Sequence, residues 1–152
     1  MTKTGVRNLG LFIAFAIIGL IGLFSFVRLA PTDVMRWHVA QTDGGWASVP
    51  WGAVQAETGG ARLRLSADTM DPVDLLTRLD AIAMATPRTS RLAGSVAEGR
   101  ITWETRSQIW GFPDYTTADV QEDGLYVHAR LRFGSKDLGV NAKRLTAWLQ
   151  AL

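Results

Sequence analysis

One run constrains this chain more than any other: LGLFIAFAIIGLIGLFSFV, from Leu9 to Val27, nineteen residues without a charge. A bilayer-crossing helix takes roughly 20 apolar residues, whereas a cleaved secretory signal has an apolar core of about 7–15 residues before a small-x-small site. Here the exit is FVRLAPTD, with Arg28 ahead of the candidate Ala30 site and no cysteine for a lipid. The run reads as an uncleaved signal anchor over 9–29, after a short tail, 1–8; a cleaved signal peptide is the alternative. Lys3, Arg7 and the α-amino group precede the span, and Arg28 and Arg36, offset by Asp33, follow it. Because Lys and Arg favour the cytoplasmic side, this narrow excess puts the N-terminus inside and the domain on the periplasmic side of an inner (cytoplasmic) membrane. A cytoplasm-facing domain is the alternative. Gly10, Ala14, Gly19 and Gly22 offer a surface that a second membrane helix can approach closely.

With the anchor set aside, about 120 residues are left for a single domain. The net charge of +2 belongs to the ends of the span: after Leu29 there are 13 Lys and Arg against 14 Asp and Glu. A nucleic-acid footprint needs a concentrated basic surface, so nucleic acid is not an expected partner. There is no cysteine, hence no disulfide and no thiolate for a metal. The two histidines, His38 and His128, stand far apart in the chain, and a metal site needs convergent ligands. No phosphate-binding glycine loop is present. No cofactor is expected.

Residues 30–60 carry Pro31, Pro50, several glycines and Trp37, Trp46 and Trp51. Glycine and proline suggest a juxtamembrane tether; the tryptophans suggest that it rests on something, Trp37 at the membrane interface and the other two over the domain's core. From 61 to 152 the pattern is that of a compact α+β domain. ARLRLSA alternates as a strand. In DPVDLLTRLDAIAMA, Asp71 is an N-cap, Pro72 a first helical residue, and Leu75, Leu79 and Ile82 a stripe. A hairpin turns at Glu98-Gly99, and a second flanks EDG. NAKRLTAWLQAL closes the chain as a helix capped by Asn141, with Leu145, Trp148, Leu149 and Leu152 on one side. The architecture predicted is an antiparallel sheet of four or five strands, with two helices over one face.

If Asp123-Gly124 is the two-residue loop of the last hairpin, Asp119 pairs with His128, Thr117 with Arg130 and Tyr115 with Arg132. One face then holds Thr116, Ala118, Val120, Val127, Ala129 and Leu131 and meets the helices. The other carries Arg100, Arg106, Arg130 and Arg132 beside Glu104, Asp119, Tyr115, Tyr126 and His128. Such a face is solvated, an anion site, since guanidinium forks bind carboxylate and phosphate, or a protein-contact face. The stretch RFGSKDLGVNAKR adds amides at a helix start with Lys143 and Arg144 nearby, also suited to an anion. In it Asp137 either pairs with Arg144 or accepts loop amides. Together these give the candidate binding set Arg106, Arg130, Arg132, Tyr115, Asp137, Asn141 and Arg144. A His128–Asp119 pair with Ser107 or Ser135 as nucleophile lacks a nucleophile-elbow motif.

At PRT (87–89), TRSQIWGFPDY (105–115) and RFGSKDLGVNAKR (132–144), the chain resembles the bacterial and plastid family called domain of unknown function 1499. PTDVMRWHV (31–39) resembles the start of members that carry an anchor. The resemblance implies that Arg106, Ser107, Phe112, Asp114, Arg130, Arg132, Asp137, Gly139, Asn141 and Arg144 occupy motif positions. Ala129 and Leu131 stand where the family often has serines. It implies no reaction. The reading is therefore a membrane-tethered accessory domain, not an enzyme, recruiting a protein partner or an anionic lipid or small anion through its arginine face. The alternative is a membrane-associated enzyme acting on a carboxylate or phosphate substrate through Asp114 or Asp137.

Overall fold

A computed structural model describes residues 3–152, apart from the side chains of Lys3, Thr4 and Val6. Two compact units are present, Met1–Thr32 and Asp33–Leu152. The first is helix α1 (Lys3–Leu29), in which Arg7–Leu29, whose most apolar stretch has a mean hydropathy of 2.6, is long and apolar enough to cross a membrane, as an anchor or a signal. Of the expected tail, Met1 and Thr2 lie outside the described residues, and Lys3 to Asn8 are already helical.

The second unit is α+β. It opens with α2 (Val34–Trp37), whose N-terminus the Asp33 carboxylate caps through the Met35 amide. A 3-10 turn (Gly44–Trp46) follows. Then come β1 (Gln55–Glu57), β2 (Gly60–Ser66), α3 (Pro72–Ala85), β3 (Thr89–Ser95), β4 (Arg100–Arg106), β5 (Pro113–Gln121), β6 (Gly124–Leu131) and α4 (Val140–Ala151). The six strands are antiparallel in the order β1-β2-β6-β5-β4-β3. This is more than the four or five expected, because the three-residue β1 is too short to show alternation. β1 turns into β2 at Thr58-Gly59, and Gly60 is tied to glycine because a Cβ there would sit 2.4 Å from the Ala129 carbonyl oxygen.

The helices form for the anticipated reasons. Asp71 caps α3 by accepting from the Val73 and Asp74 amides, Pro72 starts it, and Leu75, Leu76, Leu79 and Ala83 are buried. Leu145 and Trp148 of α4 join them over Leu63, Ile101, Trp103, Ala118, Val127 and Ala129. Both helices thus cover one sheet face, the apolar one.

Antiparallel connectivity sends the connections to two ends. One end collects 67–71, 96–99 and 122–123; the other collects 58–59, 86–88, 107–112 and 132–139.

Candidate functional site

The last hairpin sets the geometry of the charged face, and its register departs from the expected one. Gln121 pairs with Gly124, so the loop is Glu122-Asp123; Thr117 lies opposite His128, Tyr115 opposite Arg130, and Asp119 opposite Tyr126. Gly124 serves packing rather than the turn: a Cβ on it would meet the Leu65 carbonyl oxygen at 2.1 Å and the Trp51 ring at 3.0 Å. Because the slip is an even number of residues, every side chain keeps its predicted face.

That face is covered. The segment from Asp33 to Val49 lies across it as a strap within the Asp33–Leu152 unit, rather than standing apart as a tether. Trp37, expected at a membrane interface, packs inside this unit: it is 7 % exposed, its ring 4.4 Å from that of Tyr115, with the Arg130 guanidinium 5.3 Å away. The Trp37 carbonyl accepts from Arg130 Nη2 (2.8 Å) and Thr117 Oγ1 (2.9 Å). His38 bridges Thr102 and Glu98, each at 2.9 Å. The Gln41 amide donates to Asp119 Oδ2 at 2.8 Å, and Asp43 receives both Nη groups of Arg62, at 2.6 and 3.0 Å. Trp46, expected over the core, closes the strap on this polar side, edge-on to Tyr126 at 4.8 Å with Arg62 4.8 Å from its ring. Trp51 stays partly exposed beside Tyr126 and Arg64.

The arginines consequently take different partners. Arg100 donates to Asp119 at 2.7 Å. Arg130 is held by Trp37 and Thr117, and burial lowers its pKa to about 10, which leaves it charged at neutral pH. Arg106 donates to Glu104 (2.6 Å) and to the Gly111 carbonyl (3.2 Å), and Arg132 to the Tyr115 hydroxyl (3.1 Å). These last two mark the rim, where β4 and β6 end. His128 does not meet Asp119. Its Nδ1 faces Gln41 Oε1 at 3.2 Å, and burial, aided by Arg130 and Arg62, lowers its pKa to about 3. The ring is therefore neutral, and its 3.4 Å approach to Glu57 is loose because Glu57 is held by Arg62 at 2.8 Å. Ser107 accepts from the Phe112 amide and closes the 107–112 loop.

The second candidate cluster lies on the opposite face. Asp114 and Tyr115 are neighbours on β5, so alternation turns Asp114 toward α4. There Arg144 donates to Asp114 (3.1 Å) and to Asn141 Oδ1 (2.9 Å). Burial raises the Asp114 pKa, an effect that Arg144 only partly offsets. Asn141 is not the helix cap: it is fully buried inside α4, whose N-cap is Gly139 in the left-handed conformation. Asp137 supplies the capping carboxylate, accepting from the Gly139 and Asn141 amides at 3.1 and 3.0 Å. Burial would raise its pKa, but these amides hold it below the usual value. The sheet thus separates Arg106, Arg130, Arg132 and Tyr115 from Asp137, Asn141 and Arg144. Sequence reasoning missed Arg62 and Asp43; only the strap's path brings them together.

A hollow of about 620 Å³ lies at the other end of the sheet, between Gln41, Asp43, Trp46, Glu122, Asp123 and Tyr126. Among the described residues, no group of three or more His, Cys, Asp or Glu is placed to hold a metal ion.

The family described as "Protein of unknown function (DUF1499)" matches residues 55–152, most of the chain, and the chain belongs to it. The curated proteins give no match.

Proposed function

Starting from that membership, we propose that this member of the family is a membrane-tethered accessory domain that binds rather than catalyses. Its ligand is a protein partner or an anion such as a lipid headgroup, met at the rim by Arg106 and Arg132. The domain stands on the periplasmic side of an inner membrane, anchored by α1. The observation that supports the rim is the place of these two arginines at the ends of their strands. Arg62 and Arg130 hold the strap and Arg100 pairs within the sheet beneath it, whereas Arg106 and Arg132 stand where β4 and β6 end, and the Arg106 side chain is 33 % exposed. The remaining members of the anion set, Asp137, Asn141 and Arg144, contribute by shaping the 132–139 loop beside that rim.

The test is purification of the full chain in lipid discs, with mass spectrometry of all that is retained, beside an Arg106→Gln/Arg132→Gln variant. Arg130 is left intact because it secures the strap. A lipid or protein lost only from the variant supports the rim; identical retained sets overturn it. The enzyme alternative draws on Asp114, a carboxyl raised by burial beside a guanidinium and so suited to proton transfer near an anionic substrate. Turnover of a carboxylate or phosphate compound that disappears in Asp114→Asn would replace the binding reading.

A further inference from the structure

The two ends of the sheet differ in charge and surface chemistry. At one end, the connections 67–71, 96–99 and 122–123 carry Asp68, Asp71, Glu98, Glu122 and Asp123 and no Lys or Arg. At the other, the connections 58–59, 86–88, 107–112 and 132–139 carry Arg88, Arg132 and Lys136, with Asp137 as the single acid, and that acid is engaged in capping α4. This basic end also presents apolar side chains to solvent: Ile109 is 76 % exposed, Trp110 55 %, Phe112 36 % and Leu138 88 %. Trp110 stacks on Phe112, with ring centres 6.4 Å apart, and Phe112 leans on Phe133 at 6.2 Å. The acidic end exposes Trp51 as well, but with carboxylates on its connections. An exposed cluster of large apolar residues with a charged border marks a contact surface.

Chain length suggests what that surface contacts. The strap joins the sheet at the basic end, where Trp37 sits on Tyr115 near the start of β5. Only Ala30, Pro31 and Thr32 separate the last residue of α1 from Asp33. At about 3.5 Å per residue, that leaves at most roughly 14 Å of chain, whatever the angle between the two units. So short a leash limits how far Asp33 can stand from any bilayer that α1 crosses. Aromatic side chains favour the lipid–water boundary, and Lys and Arg near a surface are drawn to anionic headgroups.

We infer that the basic end is a bilayer-docking surface: Ile109, Trp110 and Phe112 enter the lipid–water interface while Arg88 and Lys136 meet anionic headgroups. This rests on α1 being an anchor, and it goes beyond the rim-binding reading by giving the domain a resting orientation, acidic end outward. It holds on either side of the membrane.

The absence of cysteine from the chain allows single nitroxide labels at Trp110→Cys, Ile109→Cys and, at the acidic end, Glu122→Cys. The full chain is placed in discs of phosphatidylethanolamine and anionic phosphatidylglycerol. Label accessibility to oxygen and to a water-soluble nickel chelate is then measured. Labels at 109 and 110 are expected to be oxygen-accessible and nickel-protected, with the reverse at 122, and Arg88→Glu/Lys136→Glu should return 109 and 110 to water. Equal nickel accessibility at all three positions in retained protein overturns the docking. So does protection of 109 and 110 in native membranes but not in purified discs, which would assign this end to a protein. Loss of the chain from membranes on alkaline washing would instead sink the anchor reading, and unchanged urea midpoints guard against misfolded variants.

Discussion

On one face of the sheet, Leu63, Ile101, Trp103 and Val127 lose all solvent contact beneath α3 and α4. On the other, Thr102, Tyr115 and Thr117 are as deeply buried, and Asp119 is 2 % exposed, but the cover is a strap held by hydrogen bonds and stacked rings. The first cover gains from apolar area removed from water and tolerates small displacements. The second depends on matching each donor to an acceptor, because a buried polar group without a partner costs about 1–3 kcal/mol. An antiparallel sheet can therefore bury both faces while only one looks like core in its residue pattern.

The difference can be probed from both sides. Leu76→Ala removes a fully buried side chain from the helix-covered face and should cost about 2–5 kcal/mol in urea unfolding. A loss below about 1 kcal/mol would mean that the helices are not what holds that face. Arg130→Met leaves the Trp37 carbonyl and Thr117 without their guanidinium donor and should cost about 1–3 kcal/mol. It should also raise hydrogen exchange at the Gln41 amide while leaving the α3 amides protected. Uniform exchange across both covers would show that they unfold as one.

Acid should weaken the strap side selectively. The folded-state pKa of His128 is about 3, below its ordinary 6.5, so between those values the unfolded chain binds the extra proton and stability falls as pH falls. From pH 7 to pH 5 this amounts to about 2 kcal/mol. The difference in pH slope between the wild type and His128→Gln isolates it from the carboxylates; matching slopes would refute a neutral buried ring. The smallest effect belongs to the rim. Arg106→Gln breaks a partly exposed pair with Glu104 and should change stability by less than about 1 kcal/mol, in contrast to Arg130→Met.

Much of the helix-covered face is legible in the residues. Asp71-Pro72 announces α3, the spacing of Leu145 and Trp148 announces α4, and alternation along β5 and β6 assigns each side chain to its face. The Asp123-Gly124 pair misleads, since Gly124 is glycine for the sake of Leu65 and Trp51, yet the even slip preserves the faces. The Asn141 cap misleads in a similar way, because Asp137 reaches the same amides from two residues before Gly139. The candidate site was half legible: its arginines were found, but not the strap that occupies Arg130.

By itself the sequence determined the apolar N-terminal helix, the α+β class, the family and the sorting of side chains between faces. These follow from local periodicity and composition, which need only neighbours along the chain. Tertiary structure alone decided that the polar face is covered, that Arg130 and Arg62 hold the strap, and that Asp114 and Tyr115 serve clusters on opposite sides. Those outcomes depend on contacts such as Gln41 with Asp119 and Trp37 with Arg130, between residues 78 and 93 positions apart. The path of an irregular segment carries no period, so its partners are settled by hydrogen-bond matching in space.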